Sequence, residues 1–117
     1  MALDRSARLH SSQHWRDVRR RGKRSYGAYA VLYCLRGGDT GRVGFSTTKS
    51  FRRAVDRNRA RRRLRAAFDH VYCPGEEPAM IAIVAKPETL TAEFRDLMTA
   101  LATQLRELGI QARDPEA

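Results

Sequence analysis

The chain predicts an α+β fold in the order α-β-β-α-β-α, with a sheet covered by helices on at least one face. Three observations carry that expectation. Two apolar runs, residues 29–35 and 79–85, are short and bounded by Gly, Pro or polar residues, as buried strands are. Phe94, Leu97, Met98, Leu101, Leu105 and Leu108 recur at the spacing of one helix face. Ala60, Leu64, Ala67, Phe68 and Val71 do the same within a stretch that places six arginines in nine residues, from Arg57 to Arg65.

Taken in order, residues 1–11 read as a basic, polar lead-in. Ser11 or Ser12 can cap a first helix reaching Arg21, with Trp15 and Val18 on one side and Gly22 ending it. Trp15 at that spacing serves a core or a stacking platform. The cluster Arg19-Arg20-Arg21-Gly22-Lys23-Arg24 spans the helix end and a turn. The strand over 29–35 leads into a hairpin-type loop, 37–41, and a returning strand, 42–47. Residues 48–53 link that strand to the arginine helix, where Asp56 is a candidate N-cap or a negative charge at the positive helix end. That helix extends to Tyr72 and stops at Cys73-Pro74-Gly75. Residues 79–85, the most apolar run, form the central strand, closed by Pro87. The last helix spans 91–108, Gly109 ends it, and 110–117 read as a frayed tail.

A length of 117 residues, with 42% hydrophobic and 31% charged content, is that of one globular domain. No run approaches the roughly 20 apolar residues of a membrane span, and the N-terminal residues lack an apolar signal core. A cytoplasmic location and no membrane partner are expected. Cys34 lies in an apolar strand and Cys73 in a turn; their spacing suits neither a metal site nor, in the cytoplasm, a disulfide.

The net charge of +10 is unevenly spread. Residues 1–65 hold 19 Lys and Arg against 4 Asp and Glu, whereas residues 66–117 hold 4 against 9. On the arginine helix, Asn58, Arg61, Arg62 and Arg65 fall opposite the apolar stripe, with Arg59 and Arg63 on one flank and Arg57 nearer the apolar edge. Only Asp56 lies between Arg52 and Arg65 to offset these charges, so an external polyanion is the natural counterpart. Tyr26, Tyr29, Tyr33 and Phe45 are candidates to stack on bases beside this surface, or to be core.

Catalysis by the chain itself finds no support. The acids of the basic half, Asp4, Asp17, Asp39 and Asp56, are scattered over separate elements. His10 and His14 have no acid or Cys at a matching spacing, and nucleotide-loop, nucleophile-elbow and zinc-protease motifs are absent. Neither catalytic residues nor metal ligands are expected.

The run Arg42-Val43-Gly44-Phe45-Ser46, Lys49, then Ala54-Val55-Asp56-Arg57-Asn58-Arg59-Ala60-Arg61-Arg62, Leu64-Arg65 and Phe68 resembles the protein subunit of bacterial ribonuclease P. That family carries an Arg-Asn-Arg motif in a basic helix after a strand and short loop of this type. The resemblance extends from 7–9 through Trp15 and 31–33 to 85–87 and the last helix. It implies a two-layer sandwich like the second domain of ribosomal protein S5, with a left-handed βαβ crossover. It also implies a function: binding the catalytic RNA of ribonuclease P and the 5′ leader of precursor tRNA, to promote 5′ maturation of tRNA. By matching positions, Arg57, Asn58, Arg59, Arg61, Arg62 and Arg65, with Lys49 and Arg53, are expected to bind RNA. Trp15, Arg19, Tyr33 and Phe45 are expected in the leader cleft. Mg²⁺ is expected to be held mainly by the RNA, and no obligate protein partner is implied. The chain departs from the family at Arg19, where an aromatic is common, at Ser50, where a second lysine is common, and at Arg52-Arg53, where a Gly-Asn or similar pair is common. Those departures point to a cleft that holds the leader by charge more than by stacking. The rival readings are a general structured-RNA or ribosome-associated protein, a duplex-DNA reader using the same helix, and a stand-alone nuclease.

Overall fold

A computed structural model describes residues 12–37, 41–75 and 77–115. The lead-in over 1–11, the tip of the 37–41 loop and the last two residues lie outside these. The elements are α1 (Ser12–Arg21), β1 (Lys23–Tyr26), β2 (Ala30–Arg36), β3 (Arg42–Thr47), α2 (Ala54–Val71), β4 (Ala79–Ala85), a 3-10 helix (Pro87–Leu90) and α3 (Phe94–Glu107). Five expected elements stand within one residue of their expected bounds, and the sixth, α3, begins three residues later than expected.

The sheet runs β1-β2-β4-β3. β2 pairs antiparallel with β4, and β3 pairs parallel with β4. The hairpin expected from the Gly-rich loop at 37–41 is therefore absent: β4 inserts between β2 and β3. Its composition explains the preference. β4 is apolar at every position, so it belongs in the sheet centre with both faces covered, and six of its seven residues are buried.

Alternation along the strands assigns the two faces. Leu32, Cys34, Ile81, Ile83 and Ala85 face the main core, which they share with Ala60, Leu64, Phe68 and Val71 of α2 and Leu97, Leu101 and Leu105 of α3. The buried stripe of α2 is the one its periodicity predicts. α3 also buries Ala102 and Gln104, which the apolar spacing did not reveal. Val18 of α1 packs on Ala82 over the other face, with Trp15, Tyr33, Leu35 and Met80 around them. The expected two-layer sandwich thus describes α2 and α3 on the sheet, and α1 adds a partial layer behind it.

Three local features differ from expectation. β1 falls where a turn was expected; its four residues bury only Ser25, so it has no apolar signature. Gly22 ends α1 without adopting a positive φ; a Cβ there would lie 2.5 Å from the Val18 carbonyl oxygen and 2.8 Å from that of Cys34, so close approach to β2 requires glycine. The chain beyond Gly109, expected to fray from 110, is tied back over 110–113. Ile110 is buried, Ala112 bridges Tyr72, and the Arg113 amide donates to the Val71 carbonyl at 2.7 Å. Arg36 secures the same turn by donating to the Leu108 and Gly109 carbonyls and pairing with Glu77.

Candidate nucleic-acid interface

α2 lies between two demands. Its apolar stripe is wholly buried, so its remaining positions, six of them arginine, must project away from that stripe. Asn58, Arg61, Arg62 and Arg65 line one shallow pocket of about 450 Å³. Within it, Arg61 donates to the Asn58 side-chain oxygen. The Arg65 guanidinium sits 5.2 Å from the centroid of the Phe45 ring, which itself stands edge-on to Phe68 at 5.6 Å. A core aromatic therefore fixes the direction of a surface cation. Arg59 and Arg62 are exposed and Arg57 is half-buried, as expected for a side chain near the apolar edge.

No carboxylate among the described residues pairs with Arg57, Arg59, Arg61, Arg62 or Arg65. The acid of the first turn is already engaged. Asp56 is not the N-cap, a position held by Arg53 in extended conformation; instead it accepts from Arg53 Nε at 3.0 Å and Nη2 at 3.2 Å. That hydrogen bond, with the adjacent negative charge, raises the Arg53 pKa. Arg53 thus balances the helix end, although its side chain remains largely exposed. Lys49, on the loop entering α2, is exposed.

Arg63 behaves differently from its neighbours. It turns back and donates to the carbonyls of Thr89 at 2.6 Å, Leu90 at 3.0 Å and Ala92 at 2.6 Å. These oxygens lie at the end of the 3-10 helix, so one guanidinium satisfies three acceptors and docks that segment onto α2. Its place on the flank of the helix was legible, but its partners were not.

The expected cleft residues divide between the two faces of the sheet. Trp15 and Tyr33 lie together on the α1 face. Arg19 joins them, with its guanidinium 5.6 Å from the Tyr33 centroid. Phe45, paired in register with Ile83, packs against the main core on the opposite face and belongs with Arg65. Strand alternation places it there: Gly44 and Ser46, not Phe45, share the α1 face with Ala82 and Val84. Of the other candidate aromatics, Tyr29 packs on the main core, whereas Tyr26 is 68% exposed. Arg24, not singled out from the basic cluster, lies 5.5 Å from the Tyr33 centroid on the same side as Arg19. The alternation Arg24, Tyr26 against Lys23, Ser25 was a possible signal for it once the segment is read as a strand.

The profile of the family described as Ribonuclease P matches residues 3–109 of the chain. The ribonuclease P protein component of Syntrophomonas wolfei is 30% identical over 113 residues, covering 96% of this chain and 95% of that protein. That of Gluconacetobacter diazotrophicus is 33% identical over 116 residues, covering 95% and 98% respectively. The crystallised RNase P protein of Staphylococcus aureus superposes with a TM-score of 0.71 over 90% of this chain and 97% of that one, at 19% identity, a likeness of fold. A basic helix with an unpaired arginine face, on a mixed sandwich of this kind and with matches along nearly its whole length, places the chain in the ribonuclease P protein family.

Proposed function

We infer that the arginine face of α2 is the surface on which this protein binds the catalytic RNA of ribonuclease P. The chain is an RNA-binding component of that ribonucleoprotein in the 5′ maturation of tRNA, and its partners are RNAs. Bond cleavage belongs to the RNA subunit. The observation that carries the assignment to α2 is the pocket of Asn58, Arg61, Arg62 and Arg65, whose cations have no carboxylate partner among the described residues. Arginine suits it, because its planar fork donates two parallel hydrogen bonds to a phosphate. Arg57 and Arg59 extend the face toward the helix start, and Lys49 extends it onto the preceding loop. Arg53 adds to it after sharing its charge with Asp56.

On the other side of the sheet, Trp15, Arg19 and Tyr33 are the residues we assign to the 5′ leader of precursor tRNA. Their grouping around one ring, with Arg19 over Tyr33, supports a grip that combines charge and stacking. Phe45 acts from the α2 side by orienting Arg65. Among the described residues, no three His, Cys, Asp or Glu side chains gather as a metal site, and we place the Mg²⁺ of the reaction mainly on the RNA. A left-handed β3-α2-β4 crossover, as in the second domain of ribosomal protein S5, belongs to the same proposal, supported by the parallel β3–β4 pair joined through α2. So do a single-domain organisation, a cytoplasmic setting and independence from any obligate protein partner.

The test is reconstitution. Purified protein, a bacterial ribonuclease P RNA and a precursor tRNA are combined at low Mg²⁺; cleavage at the mature 5′ end should require both protein and RNA. Arg57→Ala with Arg59→Ala should weaken RNA binding and lower its salt slope by about one for each phosphate that is no longer neutralised. Preference for duplex DNA over structured RNA in competition would refute the assignment.

A further inference from the structure

β1 is a puzzle of investment. It is an edge strand of four residues that buries only Ser25, yet its end and the turn after it are held by two side chains of α3 and by Lys86. The buried Gln104 side-chain amide donates to the Ser25 carbonyl at 2.9 Å and the Ala30 carbonyl at 3.0 Å. Ser25 donates to Glu107 at 2.7 Å, and Lys86 donates to the Gly27 carbonyl at 2.7 Å. A Cβ on Gly27 would meet the Gln104 amide at 2.6 Å, so any larger residue there would have to displace that amide from its two carbonyls. An edge strand fastened by polar contacts alone presents its outward residues in a fixed position.

Those residues are Arg24 and Tyr26. Arg24 lies against the Tyr33 ring and donates to the Arg19 carbonyl at 3.0 Å and the Tyr26 hydroxyl at 3.4 Å. Tyr26 is the most exposed large hydrophobic residue among those described. Registers align Tyr26 with Val31, Val84 and Ser46 in one row across the α1 face. Three inter-strand steps, about 14 Å, thus separate Tyr26 from the strand that leads through Lys49 into α2. The free edge is not suited to another strand, since Lys23 and Arg24 place cations along it, and exposed charge blocks edge-to-edge pairing. A cation beside an exposed ring fits an unpaired nucleotide, with phosphate on the guanidinium and base on the tyrosine face.

We propose that Arg24 and Tyr26 form a contact site for an unpaired RNA nucleotide at the sheet edge, separate from the arginine face of α2. The site rests on the RNA-binding reading above. Two sources offer that chemistry, a single-stranded segment of the catalytic RNA and the 5′ leader of the precursor.

The experiment measures two affinities: of the full chain for the catalytic RNA, and of the reconstituted particle for precursor tRNA with and without its leader. Tyr26→Ala should weaken one of them by about 5- to 150-fold, the span of one base stack. Tyr26→Phe, which keeps the ring, should remain within about twofold of the parent. A loss confined to leader-bearing precursor identifies the leader, and a loss toward the catalytic RNA identifies that subunit; either supports the site. The proposal is overturned if Tyr26→Ala, with its melting transition intact, matches the parent in both measurements. It is overturned also if Tyr26→Phe is as weak as Tyr26→Ala, because stacking then contributes nothing. The Arg57→Ala, Arg59→Ala variant separates the two readings. If it loses affinity while Tyr26→Ala does not, only the edge site falls; if the parent chain binds neither RNA, both fall.

Discussion

Arg62 and Arg63 are sequence neighbours that the structure assigns to opposite tasks, and replacing each alone should separate folding from binding. Arg63→Met keeps most of the aliphatic stem and removes the guanidinium, with its three bonds to the Thr89, Leu90 and Ala92 carbonyls. Hydrogen bonds to a charged donor contribute about 1.5–3 kcal/mol each. The side chain is only half-buried and water can reach part of the carbonyl cluster, so the contributions do not add. A net loss of about 2–4 kcal/mol is expected. For a chain of this size that lowers the melting temperature by roughly 6–16 °C. Arg62→Ala removes an exposed cation that has no ion pair among the described residues, and stability should change by less than about 0.5 kcal/mol. RNA affinity reverses the order. Arg62→Ala should weaken binding and reduce the salt slope by about one, while Arg63→Met should leave the slope unchanged at a temperature where it is folded. Urea unfolding and binding titrations at several salt concentrations supply both readings. If Arg63→Met cost less than about 1 kcal/mol and lowered the slope as Arg62→Ala does, the three carbonyl contacts would not hold the 3-10 segment and the reasoning fails.

Two further outcomes test the core. Phe68→Ala removes a fully buried ring that stacks on Tyr72 at 4.6 Å and meets Phe45 edge-on; it should cost about 3–5 kcal/mol in urea unfolding and loosen the Phe45 support beneath Arg65. Burial pushes the Cys34 thiol and the Tyr72 hydroxyl above their ordinary pKa values. Both groups are then neutral in the fold where the unfolded chain has begun to lose their protons, so this stability is complete below about pH 8.5 and declines as pH rises beyond it. Unfolding free energies measured from neutral to alkaline pH should show that decline, and in native protein iodoacetamide should modify Cys73 well before Cys34.

The parts of this fold that were legible in the sequence are those where apolar periodicity decides. The stripe of α2 and the uniform apolarity of β4 needed no tertiary information. The elements that eluded sequence reasoning are held by polar contacts between distant residues. β1 exists because Gln104, Glu107 and Lys86 fasten its end, and no local pattern in Lys23-Arg24-Ser25-Tyr26 reports partners some sixty to eighty positions away. The same holds for the tail over 110–113, which pairs with the end of α2 through main-chain groups that any sequence possesses. The missing β2–β3 hairpin is a case of competition: a Gly-rich loop permits a hairpin, but a wholly apolar strand gains more by entering between its two arms.

The candidate site follows the same division. A row of arginines suggests a polyanion surface by composition alone, and Arg61, Arg62 and Arg65 line one pocket with Asn58. Composition does not say which arginine is withdrawn from the surface. Arg63 is withdrawn because its one guanidinium satisfies three carbonyls at the end of the 3-10 helix together. Nor does it say which face a strand aromatic takes. Phe45 and Tyr33 both read as cleft residues, yet they sit in registers of opposite parity against β4, Phe45 opposite Ile83 and Tyr33 opposite Ala82. One residue of parity sends Phe45 beneath the arginine face of α2 and leaves Tyr33 on the α1 face, flanked by Arg19 and Arg24. The sheet thereby keeps two cationic surfaces apart while its central strand supports both, so damage to β4 should disturb the two together and damage to either helix should not.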